Sequence, residues 1–181
     1  MNDQKTLQLI RDSIRVIPDW PKKGVAFRDI TTLLQNPKAF HAVNKIFLKR
    51  YKDKKIDAIA GLDARGFIFG PVLAYELGVS FVPIRKKGKL PHKTYAQSYT
   101  LEYGDENTVE VHIDAIMAKQ NVVIIDDLIA TGGTMLAACK LIERLGAKVH
   151  ECAVVNDLLY LNGSNKIREA GFPVYSILEY K

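Results

Sequence analysis

From residue 56 onward, short runs rich in Val and Ile alternate with segments of helical spacing, which restricts this chain to a narrow set of folds. Ile56 to Ala60, Val79 to Ile84, residues 121–125 and Ala147 to Val155 read as strands, while Gly66 to Leu77 and Gly132 to Leu145 read as helices between them. Near-continuous apolar strands joined by helical crossovers indicate an α/β fold, a mostly parallel sheet covered by helices on both faces. Ligands of such sheets bind beyond the carboxyl ends of the strands, so the strand-to-helix turns should carry the chemistry.

The 181 residues suit a single domain (1–181) with an ample core, and 48% hydrophobic with 25% charged residues excludes a disordered chain. Ahead of the alternating region, Leu7, Ile10, Ile14 and Ile17 recur at helical spacing and predict a first amphipathic helix running to about Ile17. Pro18 and Pro21 close it and begin an irregular stretch to Asp29. Pro37 suits the first turn of a helix that carries Phe40, Val43 and Phe47 on one face. Residues 85–112 break the rhythm: they are polar, hold Tyr95, Tyr99 and Tyr103, and end in the alternating Thr108 to His112. So long an insertion in a compact domain is usually functional, and a long hairpin fits it best.

Other features narrow the setting. No run of eighteen apolar residues exists to span a membrane, and the N-terminus has no apolar signal segment, so a cytoplasmic protein is expected. Cys139 and Cys152 lack zinc-ligand spacing and read as small buried hydrophobes. His41, His92, His112 and His150 share no ligand spacing and read as surface or strand residues. The net charge of +6 is uneven: the first sixty residues hold 13 Lys and Arg against 6 Asp and Glu, out of totals of 26 and 20. A second basic knot is Arg85-Lys-Lys-Gly-Lys89. Charge alone does not choose between nucleic acid and a small polyanion.

The segment Val122-Val-Ile-Ile-Asp-Asp-Leu-Ile-Ala-Thr-Gly-Gly-Thr134 does choose. A buried strand is followed by two carboxylates, Asp126 and Asp127, then by the small-residue turn Ala130, Thr131, Gly132, Gly133 and Thr134, which opens a helix. The glycines allow a tight turn that gathers backbone N–H groups, the Thr hydroxyls add donors, and the helix N-terminus adds partial positive charge. That makes an anion site of phosphate size. The acids would repel phosphate and suit vicinal ribose hydroxyls instead. Together the halves describe a ribose 5-phosphate site. No Lys follows the glycines as in a Walker A loop, and no GxGxxG pattern is present.

This segment resembles the PRPP-binding motif of the type I phosphoribosyltransferases (PRPP being 5-phosphoribosyl pyrophosphate). Further blocks, Gly24 to Ile30, Ile59 to Pro71, Arg85 to Pro91 and Ser98 to Gly104, are similar in order and spacing to the adenine-specific branch of that family. The resemblance implies a parallel sheet flanked by helices, an N-terminal hood and base-binding segment over 1–35, and a flexible hairpin flap over 85–112. It implies an enzyme of purine salvage that transfers phosphoribosyl from PRPP to adenine, giving AMP and pyrophosphate. Mg²⁺ would arrive with PRPP, held by substrate oxygens rather than by a dedicated protein cage. A homodimer is the family's usual state.

The resemblance also assigns roles. Arg65, in the turn Ala60 to Gly66, would hold pyrophosphate by its planar fork of donors; the lesser alternative, read without the family, is a surface pair with Asp63. Phe27 would stack on adenine, with main-chain groups of Val25 and Arg28 reading the base edge, although on its own Phe27 reads as a core aromatic. Glu102 would manage the purine imidazole proton and Tyr103 would cover the ribose; without the family, Glu102 is a solvated hairpin residue. Lys86, Lys87 and Lys89 read equally as a solvated face or as cations for departing pyrophosphate, Lys86 and Lys89 being the choices for that contact. Rival readings are a phosphoribosyltransferase acting on another base, or a nucleotide-sensing regulator that has lost catalysis. The flap acid and the absence of room for a second domain argue against the regulator, and neither nucleic acid nor membrane is expected as a partner.

Overall fold

The computed structural model describes residues 3–20, 22–100 and 106–181. Glu102 and Tyr103 lie outside the described residues. The chain divides into two compact units, Met1–Lys49 and Arg50–Lys181.

In the first unit, α1 (Asp3–Asp12) is followed by β1 (Arg15–Pro18), β2 (Ala26–Asp29), the single turn α2 (Thr31–Leu34) and α3 (Pro37–Tyr51). The first helix stops well short of Ile17. Val16 and Ile17 are β-branched and stand before Pro18, which disfavours the helical region for its predecessor. They join an antiparallel ribbon instead, with Arg15 opposite Asp29 and Ile17 opposite Phe27. The end of α1 is sealed by Ser13, whose hydroxyl donates to the Leu9 carbonyl at 2.8 Å, and Thr32 Oγ1 donates to the Ser13 carbonyl at 2.7 Å. The stretch expected to be irregular up to Asp29 therefore ends in a strand. α3 buries Ala39, Val43 and Phe47, while Phe40 is only half-buried.

The second unit holds a seven-stranded sheet. Its strands are β3 (Ala58–Leu62), β4 (Ser80–Lys86), β5 (Thr94–Thr100), β6 (Glu106–His112), β7 (Asn121–Ile129), β8 (Lys148–Leu158) and β9 (Val174–Tyr180). They lie in the order β5-β6-β4-β3-β7-β8-β9. β4, β3, β7, β8 and β9 run parallel, and β5 with β6 forms an antiparallel hairpin appended to the β4 edge. Helices α4 (Gly66–Leu77), α5 (Gly133–Arg144) and α6 (Gly163–Glu169) supply the crossovers. The mostly parallel α/β fold and the hairpin agree with the sequence reading, and α4 has the predicted ends.

Alternation along the strands separates two faces. Ala58, Ala60 and Leu62 of β3, Val82 and Ile84 of β4, and Val122 and Ile124 of β7 share one apolar cluster with Met135, Ala138, Cys139, Leu141 and Ile142 of α5. On the other face α4 approaches closely enough that a Cβ on Gly61 or Gly70 would stand 2.7 or 2.6 Å from the Phe81 ring. Tyr95 and Tyr99 of the hairpin pack against the α5 cluster, and the Arg144 guanidinium lies 4.1 Å from the Tyr95 ring centroid. Cys139 and Cys152 are buried in this cluster with Sγ atoms 3.4 Å apart.

A polar knot, buried at Tyr51 and Glu151 and open at Arg50, ties the start of this unit to β8. Arg50 grips both carboxylate oxygens of Glu151, Tyr51 donates its hydroxyl to the same carboxylate at 2.6 Å, and Arg50 stacks 3.8 Å from the Tyr175 ring centroid. None of these partners was paired in the sequence reading, since they lie a hundred residues apart.

Candidate active site

The parallel strands β3 and β7 are neighbours, and their pairing ends at Gly61 opposite Ile125. β7 does not end there. It continues through Asp126 and Asp127 to Ile129, paired only with β8. The acids thus sit inside the strand rather than in the turn after it, a correction to the expected boundary at residue 125. Asp is a poor strand former, so the apolar pattern stops before the ladder does.

Where β3 stops, the chain turns through Asp63 and Ala64, joined by a cis peptide bond, into α4. Gly66 opens that helix hard against β7: a Cβ there would lie 2.4 Å from the Ile125 carbonyl oxygen and 3.4 Å from the Asp126 Cα. Close packing at Gly66 brings the Arg65 turn beside the two acids. Arg65 Nε donates to Asp127 Oδ2 at 2.5 Å. Asp63, weighed from sequence as the partner of Arg65, accepts from Arg85 Nε at 3.1 Å.

After Ile129 the turn Ala130 to Gly132 leads into α5, with Gly132 as its N-cap at φ 85°, a left-handed conformation that glycine adopts without strain. No side chain caps this helix, so its first N–H groups remain available to an anion.

These elements enclose an open cleft of about 370 Å³. Its lining includes Asp63, Ala64 and Arg65 from the first turn, Lys86 from β4, and the whole segment Asp126 to Met135. The predicted residues Arg65, Lys86, Asp126, Asp127, Ala130, Thr131, Gly132, Gly133 and Thr134 are therefore brought together. Lys89 is exposed and is not among the lining residues; its carbonyl accepts a hydrogen bond from Arg85 at 3.2 Å. Val25, Phe27 and Arg28 belong to the first unit, where all are half-buried and the Phe27 ring meets Trp20 edge to face at 4.3 Å between centroids. Tyr99 and Asn107 also line the cleft, directly opposite each other in the hairpin register. Neither was assigned a role from sequence; the register of β5 against β6 is what makes them a facing pair.

The electrostatics are set by crowded carboxylates. Burial, then the neighbouring Asp127 charge, pushes the Asp126 carboxyl well above its ordinary value. Its Oδ1 accepts the Asp127 backbone N–H at 2.9 Å, while Asp127 is compensated by Arg65. Such a pair favours whatever brings donors or positive charge to Asp126: sugar hydroxyls, or a hard cation among oxygen ligands. Among the described residues no group of three or more His, Cys, Asp and Glu side chains is placed to hold a metal by itself.

A parallel sheet with a carboxylate pair, a glycine turn at a helix N-terminus and an Arg-bearing turn converging on one cleft defines a phosphoribosyl transferase. Residues 29–168 match the family described as phosphoribosyl transferase domain. Adenine phosphoribosyltransferase of Bordetella avium is 54% identical over 173 residues, covering 96% of this chain and 94% of the relative. The crystal structure of adenine phosphoribosyltransferase from Thermoanaerobacter pseudethanolicus is 46% identical with a TM-score of 0.91, covering 96% of this chain and 99% of that one. That of Saccharomyces cerevisiae, complexed with an imino-altritol bisphosphate and adenine, is 38% identical with a TM-score of 0.90 and covers 97% and 99% of the two chains. This chain belongs to the adenine phosphoribosyltransferase family.

Proposed function

We propose that the chain transfers the 5-phosphoribosyl group of PRPP to adenine, forming the N9–C1 glycosidic bond of AMP as the C1–oxygen bond to pyrophosphate breaks. The observation that carries this reading is the convergence of the Asp126–Asp127 pair, the Ala130 to Thr134 turn and Arg65 on one cleft. The relative from Saccharomyces cerevisiae, whose crystal structure is of its complex with an imino-altritol bisphosphate and adenine, supports the choice of base.

The sugar phosphate is assigned to the N–H groups and hydroxyls of Ala130, Thr131, Gly132, Gly133 and Thr134, and the ribose hydroxyls to Asp126 and Asp127. As pyrophosphate leaves, C1 takes on oxocarbenium character, which nearby carboxylates stabilise in a site of low dielectric. Arg65 and Lys86 neutralise the leaving group, Arg65 as a planar fork and Lys86 as a point charge. Lys89 is assigned the same part on the family resemblance. Adenine recognition is assigned to the Phe27 ring and to main-chain groups of Val25 and Arg28, with Glu102 holding the imidazole proton and Tyr103 covering the ribose. Mg²⁺, carried in with PRPP and held by its pyrophosphate and ribose oxygens, would offset pyrophosphate charge. The hairpin over 85–112 serves as the flap that excludes water and limits hydrolysis of PRPP. The working form is a cytoplasmic homodimer of one phosphoribosyltransferase domain per chain, with residues 1–35 as its hood; no helix among the described residues is long and apolar enough to cross a membrane.

Pyrophosphate release measured with PRPP, Mg²⁺ and a panel of bases tests the reading. Turnover with adenine is expected; turnover only with oxopurines would remove the adenine assignment.

A further inference from the structure

Gly163 opens α6, and its backbone is pressed against the turn assigned to the sugar phosphate. A Cβ on Gly163 would lie 2.2 Å from the Ala130 carbonyl oxygen, 2.7 Å from the Gly132 nitrogen and 2.8 Å from the Thr131 carbonyl carbon. The contact is reciprocal, since a Cβ on Gly132 would meet the Gly163 carbonyl oxygen at 2.8 Å. Two glycine backbones thus face each other with no side chain between them. Three successive residues of the anion turn rest on one residue some thirty positions later in the chain.

Gly163 sits in unusual surroundings. Its neighbour Ser164 is fully buried, as are Asn156 and Asp157 near the end of β8, where they pair with Leu128 and Ile129 of β7. Among the described residues the Asn156 amide finds no hydrogen-bond partner, and the Asp157 carboxylate and the Ser164 hydroxyl face each other without a bond of normal length. Burial raises the Asp157 pKa, and the nearby Ser164 side chain counters only part of that rise. Polar groups kept in so dry a place are costly, and they persist where the geometry they support matters.

We propose that Gly163 is a positioning residue for the phosphate turn: its bare backbone forms the wall that fixes Ala130, Thr131 and Gly132, and so presets the direction of the N–H groups that meet the 5-phosphate. The proposal deepens the reading of residues 130–134 as the sugar-phosphate site and rests on it. The wall explains why a turn without a side-chain cap can be held in one conformation before ligand arrives. Preorganisation of this kind is what lets backbone donors favour a phosphate over water.

Gly163→Ala is the direct test. With the variant folded, as judged by circular dichroism, the Kd for ribose 5-phosphate and the KM for PRPP are expected to rise on the order of tenfold or more, as for misplacement of binding groups by a fraction of an ångström. The KM for adenine should change by less than about twofold, a split that general loss of stability would not produce. Unchanged ribose 5-phosphate affinity in the folded variant overturns the proposal. If the variant fails to fold, backbone amide exchange in the wild-type protein decides instead. Ribose 5-phosphate should then slow exchange at Gly163 and Ser164 together with residues 131–134, and protection confined to 131–134 overturns it. A wild-type protein that does not bind ribose 5-phosphate removes the underlying reading as well, an outcome distinct from either of the others.

Discussion

Arg65 and Asp127 join the turn after β3 to the end of β7, Nε to Oδ2 at 2.5 Å, with one side chain 47% exposed and the other 2%. A half-solvated guanidinium therefore neutralises a carboxylate that is almost wholly out of water. Removing the guanidinium leaves a buried charge beside the already crowded Asp126. Arg65→Ala is expected to lower stability by only about 1–2 kcal/mol, because the exposed partner is screened. It should lower kcat/KM for PRPP by roughly 10²-fold or more through loss of a pyrophosphate donor. Thermal melts and initial rates on one preparation separate the two effects; equal falls in stability and none in activity would exclude Arg65 from the site.

Asp126 invites a pH experiment. Its carboxyl is held above the ordinary 3.8 by burial and by Asp127, so the folded protein binds this proton more tightly than the unfolded chain. Its contribution to stability consequently falls as pH climbs from the ordinary value toward the raised one. Asp126→Asn removes that penalty and can still accept the Asp127 N–H. The variant should melt higher than wild type near pH 7, with the advantage shrinking toward about pH 4. Pairing it with Asp127→Asn should abolish turnover without unfolding the protein. A single variant less stable than wild type near neutrality would show that the charge is better compensated than the geometry indicates.

Glu151 makes the opposite case. Burial raises its pKa, but hydrogen bonds from Arg50 and Tyr51 more than offset this and leave it below the ordinary carboxylate value. Stability from this group is present above the unfolded pKa and is lost as pH falls through the lowered one. Glu151→Ala strands the buried Tyr51 hydroxyl and the Arg50 guanidinium, at about 2–3 kcal/mol. Urea denaturation should register that loss while kcat/KM at low temperature stays near wild type, since none of these residues lines the cleft.

Gly66→Ala tests the seam between α4 and β7. The added Cβ must displace either the helix or the Ile125 carbonyl, and overpacking of this kind costs about 1–3 kcal/mol. Because the next residue in β7 is Asp126, activity should fall further than stability alone predicts. A fully active, fully stable variant would mean that the seam relaxes freely.

How much of this was readable from sequence depended on whether local pattern and tertiary pairing agreed. They agree for α4, bracketed by Gly66 and Gly78, and for the glycine turn before α5, so those elements and their cleft residues were legible. They disagree at Ile17, which continues the helical spacing of Ile10 and Ile14 but whose backbone is drawn into pairing with β2. They disagree again at Asp126 and Asp127, acidic residues kept in a strand by β8 alone. Tyr99 with Asn107, and Gly163 against Ala130, are relations across long sequence intervals that no local period encodes. Lys89 stood in a basic knot with Lys86, yet only Lys86 lies on a strand directed along the cleft wall.

The overhang of β7 beyond β3 has a geometric consequence. Asp126 to Ile129 project past the last paired residue of the neighbouring strand, a ledge of about 13 Å at the usual rise per residue. The sugar-phosphate site proposed for residues 126–134 begins on this ledge, so the ladder doubles as a ruler for it. Because successive strand residues point to opposite sides, the ruler also has a parity. One residue inserted before Asp126 would exchange the sides to which the two acids point without altering the composition of the cleft.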